Sequence, residues 1–271
     1  MANEITVAQR QAIIKPEYTG IQIGGGVSYP PIINILQSDK QYKAFGDDEI
    51  TSKMYGKLFV RTDLNKIADL VDEIEGTAIK IETGHEVRDD SGIVASGSGF
   101  LSADDKEEYV SQGLKPLNMV KVLVALGDSK EVLARTAAYE KKLAQGTARK
   151  EDFPFALLVI KGSGWSTWIE VQDMMEELTQ KEYSTSYRDS IASLFKLSIR
   201  SEKQHSASFG DYYSFKMGVE LNPASEASEF APLVFKMKDY GLFSKVGERV
   251  QADNSKEGVA EAVEEIFESM M

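Results

Sequence analysis

Cysteine is absent from this 271-residue chain, so it can form no disulfide, build no thiolate metal centre and offer no sulfur nucleophile. Histidine occurs only at His85 and His205, too few for a histidine-based zinc site. Long apolar runs are missing as well: none approaches the roughly 18 residues that a membrane-spanning helix needs. The amino terminus MANEITVAQRQAIIKPEY lacks the basic start, hydrophobic stretch and small-residue cleavage site of a secretory leader. These absences predict a cytoplasmic protein with no cofactor, no metal and no membrane partner. Positive charge is in deficit too. The net charge of −12 argues against a uniformly basic nucleic-acid coat, while a basic groove set apart from acidic segments stays compatible with it.

What is present is ample core material, 42% hydrophobic residues, enough for one elaborated domain or two modest ones. Residues 1–30 read as a flexible arm, because TGIQIGGGVSYPP holds four glycines and two prolines that oppose a helix. From Pro31 the pattern turns to strands, IINILQ and then GKLFVR. TDLNKIADLVDEIEG spaces Leu64, Ile67, Ala68, Val71 and Ile74 as a helix would, with Thr62 or Asp63 as N-cap and Gly76 as the stop. Two strands joined by an Asp-Asp-Ser-Gly turn follow, then the apolar strand MVKVLVAL, the helix EVLARTAAYEKKLAQG and the polar loop ARKEDFP. Next come the strand FALLVIKG, the helix WIEVQDMMEELTQ, the strand LFKLSIRS, a polar loop EKQHSASFG and the strand DYYSFKMGVEL. The expected fold is mainly β within an α+β class: an OB-like antiparallel barrel over residues 31–250, with helical insertions and flexible termini.

Chemistry is hard to place on this framework. Acidic pairs at Asp47–Asp48, Asp89–Asp90, Asp104–Asp105, Glu107–Glu108 and Glu176–Glu177 fall in expected loops or on a helix surface, with no convergent partner for metal or acid–base work. His85 has Glu82 and Glu86 nearby but no serine or cysteine nucleophile paired with it. The sequence therefore reads as non-enzymatic.

The stretch VIKGSGWSTWIEVQDMM (159–175) holds both tryptophans. It is no phosphate loop, because Lys161 precedes the glycines instead of following them into the helix. Thr167 with Glu170 reads as a capping box, and Trp168, Val171, Met175 and Leu178 as the buried stripe of the helix. Trp165 lies off that stripe beside Lys161, where its ring can stay partly exposed and stack on a base.

Alternation in LFKLSIRS sets Lys196, Ser198 and Arg200 opposite Phe195, Leu197 and Ile199, and in DYYSFKMG it sets Tyr212, Ser214 and Lys216 opposite Tyr213, Phe215 and Met217. GKLFVR repeats the theme with Lys57, Phe59 and Arg61. Cations that track phosphates and rings that stack on bases are what single-strand nucleic-acid binders need. Any half-solvated antiparallel sheet shows the same alternation. The last segment, 251–271, joins a polar linker to VAEAVEEIFESMM, which reads either as a closing amphipathic helix or as a tethered acidic peptide.

Taken together, the PPIINILQ entry, the strand, glycine turn, helix, strand and YY-strand block from Phe155 to Met217, and the tail EAVEEIFESMM give a chain that resembles bacteriophage and mobile-element single-stranded DNA-binding proteins. Those commonly join an OB barrel to an acidic carboxy-terminal tail; here the tail is glutamate-rich where the bacterial proteins use an aspartate-rich, proline-containing end. The resemblance implies a protein that coats replication or recombination intermediates without sequence specificity. Lys57, Phe59, Arg61, Lys161, Trp165, Lys196, Arg200, Tyr212 and Lys216 are the candidate nucleic-acid contacts. Glu264, Glu265, Ile266 and Phe267 are the candidate contacts to replication proteins. Single-stranded DNA, those proteins and further copies of the chain are the expected partners. The rival reading is a phage virion structural or assembly protein, in which arm and tail are subunit contacts and the basic face is merely wet.

Overall fold

Alternating apolar residues give a long hairpin of β7 (Phe195–Ser206) and β8 (Gly210–Leu221), paired from Phe195↔Leu221 to Ser206↔Gly210. Phe195, Leu197 and Ile199 are buried, as the period of two requires. EKQHSASFG is strand for most of its length instead of the polar loop expected, because residues 201–206 keep their partners on β8. Gly210 takes a φ of +74°, open to glycine without strain.

A computed structural model of the chain describes residues 30–37, 45, 50–62, 65–90, 94–99 (backbone alone), 101–207, 210–238 and 242. The chain divides into two compact units, Met1–Ile81 with Lys121–Tyr240, and Glu82–Val120 with Gly241–Met271. It is a mixed α/β protein with a curled sheet and four helices among the described residues. The sheet runs in the order β2-β1-β6-β5-β3-β7-β8, built from β1 (Ile32–Ile35), β2 (Leu58–Arg61), β3 (Glu73–Arg88), β5 (Lys115–Ala125) and β6 (Phe155–Lys161) beside the hairpin. β4 (Val94–Gly99) pairs with β3 off this path, antiparallel as the two-strand reading predicts. A purely antiparallel sheet is not what forms: β1 runs antiparallel to β2 but parallel to β6, with Ile32 opposite Leu157.

The helix expected over 62–76 does not form. Its residues give one turn of 3-10 helix (Ile67–Asp69) and then the start of β3, which pairs with β7 from Glu73↔Arg200 to Thr77↔Lys196. The helical spacing of Ile67, Val71 and Ile74 is overridden by pairing, with Val71 bridged to Leu58 and Ile74 buried. Gly76 is no helix stop. A Cβ there would lie 2.5 Å from the Ala125 carbonyl oxygen and 2.5 Å from Val124 Cγ1, so only glycine lets the backbones approach.

Four α-helices complete the described residues. α1 (Ala103–Ser111) starts at a capping box in which Ser102 and Asp105 exchange hydrogen bonds, a helix hidden by the acidic run read as solvated charge. α2 (Ser129–Ala144) is capped by Asp128, whose Oδ1 accepts from the Glu131 N–H at 2.8 Å. α3 (Trp165–Tyr183) buries Trp168, Val171 and Met175 as expected, but Thr179 joins them instead of Leu178. It begins three residues earlier than the Thr167–Glu170 box requires, with Gly164 as an N-cap that lends no side chain. α4 (Ala224–Lys236) lies against α2 through the Lys236–Glu140 pair at 2.6 Å. No described helix is long and apolar enough to cross a membrane.

Candidate nucleic-acid interface

Strand register places the expected cations of β7 and β8 on one face. Arg200 stands opposite Lys216 on one side and Glu73 on the other; Lys196 stands between Glu220 and Thr77. Tyr212 lies farther along the same face, opposite Gln204. Lys196 and Arg200, four residues apart, are about 13 Å from each other along the strand.

Each of these cations already holds a carboxylate. Lys196 Nζ is 2.8 Å from Glu75 Oε2, Arg200 Nη2 is 2.8 Å from Glu73 Oε2, and Lys216 Nζ is 3.1 Å from Glu202 Oε1. The hydrogen bond from Lys196, reinforced by its charge, pulls the Glu75 carboxyl below its ordinary pKa, and the same bond raises the Lys196 ammonium. Glu73 does likewise for Arg200. The arrangement has a structural cause as well: Arg200 and Lys216 are like charges directly across a strand pair, which destabilises a sheet unless neighbours compensate. Lys196, Arg200 and Lys216 face Glu73, Glu75, Glu202 and Glu220, so three cations share this surface with four carboxylates. At the outer end of the hairpin, Asp211 accepts from Lys203 at 2.6 Å and lies 2.8 Å from His205 Nδ1; both contacts, Lys203 first, hold its carboxyl below the usual range.

The β2 trio divides. Lys57 precedes the strand and pairs with Asp72. Phe59 is not a stacking ring: it is 1% exposed and packs with Leu36, Phe45 and Ile50, edge-to-face on Phe45 at 5.0 Å. Alternation misplaced it because β2 is covered on both faces, Leu58 being as buried as Phe59. Arg61 is half-buried at the end of β2, opposite Ile32.

Curling of the sheet brings the β1–β2 end beside the hairpin. Gln37 Nε2 donates to the Tyr213 carbonyl at 2.5 Å, the Tyr213 N–H donates to Gln37 Oε1 at 2.9 Å, and Ser201 Oγ donates to the Gly56 carbonyl. Lys161 ends β6 and Trp165 opens α3, both half-buried, with one 3-10 turn (Gly162–Gly164) between them that lies against β8. Trp168 is fully buried and belongs to the core, as its place on the helix stripe predicts. The arm over residues 1–29 and the tail residues Glu264, Glu265, Ile266 and Phe267 lie outside the described residues.

Sequence reasoning missed Glu73, Glu75 and Glu202 as partners of the cations. The signal was available in the alternating run Glu73-Ile74-Glu75, which the helix reading of 62–76 obscured. Glu176 was also misjudged as solvated charge: its Oε2 accepts from Ser186 Oγ at 2.9 Å and the Tyr187 N–H at 3.0 Å, which anchors the segment after α3. No group of three or more metal-ligating side chains gathers among the described residues. No protein-family model, curated protein or solved structure matches the chain.

Proposed function

We propose that the chain is a non-enzymatic single-stranded DNA-binding protein of a phage or similar mobile element, with an OB-like barrel as its sheet. The observation that supports this reading is the single strand face on which Lys196, Arg200 and Lys216 stand with Tyr212. Exposed ion pairs are worth only about 0 to 1 kcal/mol, so a phosphate can exchange for a carboxylate on such cations with little loss. Base stacking at Tyr212 and at the half-buried Trp165 adds affinity without reading sequence. On this reading Glu264, Glu265, Ile266 and Phe267 meet replication proteins, and the protein works in the host cytoplasm. Titration of a fluorescent oligo-dT at two salt concentrations tests it: binding that weakens as salt rises is expected, and absence of binding at low salt overturns the reading.

The pairing of all three cations on that face favours one alternative, a virion structural or assembly protein whose sheet is simply charge-compensated. For that protein the same titration gives no signal, and sedimentation shows concentration-dependent self-assembly instead.

A further inference from the structure

Resting on the DNA-binding reading, we infer that Glu73, Glu75 and Glu202 act as a built-in competitor for phosphate, so that every phosphate seated on this face displaces a carboxylate held by the same strands. Carboxylate and phosphate oxygens seek the same N–H donors, and here the carboxylates are already in place at 2.8 to 3.1 Å. Their backbone positions are fixed by the sheet. Glu73 is in register with Arg200; Glu75 lies one row away, between the rows of Arg200 and Lys196; Glu202 is two residues along the strand from Arg200. A displaced side chain can swing only its own length, and it then remains as a negative charge beside the bound phosphate.

Two consequences are measurable. Affinity is held below what three cations would give on a neutral sheet. The salt dependence is also blunted, because each expelled carboxylate regathers a cation from solution while the phosphate releases one. Three phosphate contacts on a single strand predict a slope of log K against log salt of about −2, and the competitor brings the wild type well short of it.

The experiment uses the full chain, fluorescent oligo-dT and a salt series, comparing wild type with Glu75→Gln combined with Glu202→Gln. Both side chains are substantially exposed, which protects folding; Glu73 is avoided because its second oxygen is buried without a donor. The amide keeps the shape of the side chain and removes its charge. Tightening of about two- to fivefold per carboxylate, with a slope that steepens toward −2, is expected. An equal change in net charge elsewhere is supplied by Glu170→Gln with Glu177→Gln on α3, which should leave affinity and slope alone. If that control tightens binding equally, only overall charge matters and the inference falls. If Glu75→Gln with Glu202→Gln leaves affinity and slope as they were, while Lys196→Ala with Arg200→Ala weakens binding, the face binds DNA but the competitor does not exist. If wild type and all variants fail to bind at low salt, the DNA-binding reading fails and takes the inference with it.

Discussion

The Gln37 carboxamide hydrogen-bonds both backbone groups of Tyr213, taking its N–H at 2.9 Å and giving to its carbonyl at 2.5 Å across 176 residues of chain. A side chain here does what a neighbouring strand would do, satisfying one residue of the β8 edge where the curled sheet meets its other end. Gln37→Ala is expected to cost about 1 kcal/mol, at the low end for two hydrogen bonds because water can reach both groups. Gln37→Glu should cost more, since it loses the donor and sets a charge against the carbonyl. Chemical denaturation midpoints check this; equal midpoints for all three proteins would show that the clasp contributes nothing.

Gly76→Ala should destabilise the protein by roughly 1 to 3 kcal/mol, as overpacking does, because the new methyl meets a backbone oxygen that has nowhere to move. By contrast Gly146→Ala, at a helix end where no atom lies within 4 Å, should be destabilising only through its φ of +67°. Thermal unfolding of the two variants separates crowding from backbone strain.

The two tryptophans should part company on substitution. Trp168→Ala removes a fully buried ring from α3 and should cost roughly 3 to 5 kcal/mol of stability. Trp165→Ala should leave the fold intact while weakening oligo-dT binding by about 1 to 3 kcal/mol if its ring stacks on a base. Circular dichroism melts and the oligo-dT titration, run on both variants, check the assignment; the reverse pattern would show the rings exchanged.

Alkaline pH should destabilise the fold through Tyr139. Burial, with a smaller push from Asp152, raises its hydroxyl above the ordinary 10.0, and its ring sits edge-to-face on Phe153 at 5.4 Å. The folded protein therefore keeps a proton that the unfolded chain has released. This contribution is fully present below about pH 10 and is lost as pH rises past it. Urea unfolding between about pH 9 and pH 11 should show stability falling, with a shallower fall in Tyr139→Phe. Identical slopes for the two proteins would remove Tyr139 as the cause.

Local pattern was a sound guide wherever one rule governed a segment. The hairpin and α3 were legible because Phe195, Leu197 and Ile199 alternate cleanly and Trp168, Val171 and Met175 keep helical spacing. Legibility failed where a distant partner decided. Residues 73–76 look helical until β7 is supplied 127 residues later, and the same pairing is what hands Glu73 to Arg200. Phe59 misled for a related reason: alternation marks a wet face only on a strand that has one, and β2 is buried on both sides. The cations were therefore found and their counter-charges were not, since each side chain is local and each ion pair is a property of the sheet.

Sheet order also dictates when this protein can exist. β1 lies beside β6, with Ile32 opposite Leu157, so 125 residues separate the paired positions; β3 lies beside β7 across 127 residues. During synthesis at about 5 to 20 residues per second, β1 waits roughly 6 to 25 seconds before its parallel neighbour has been made. β2 follows soon enough to pair with one edge of β1, but the other edge of β1 must spend that interval open. Closing such long loops carries an entropy cost that must be met before the pairing rewards it, so the β1–β6 and β3–β7 ladders are expected to be late events in folding.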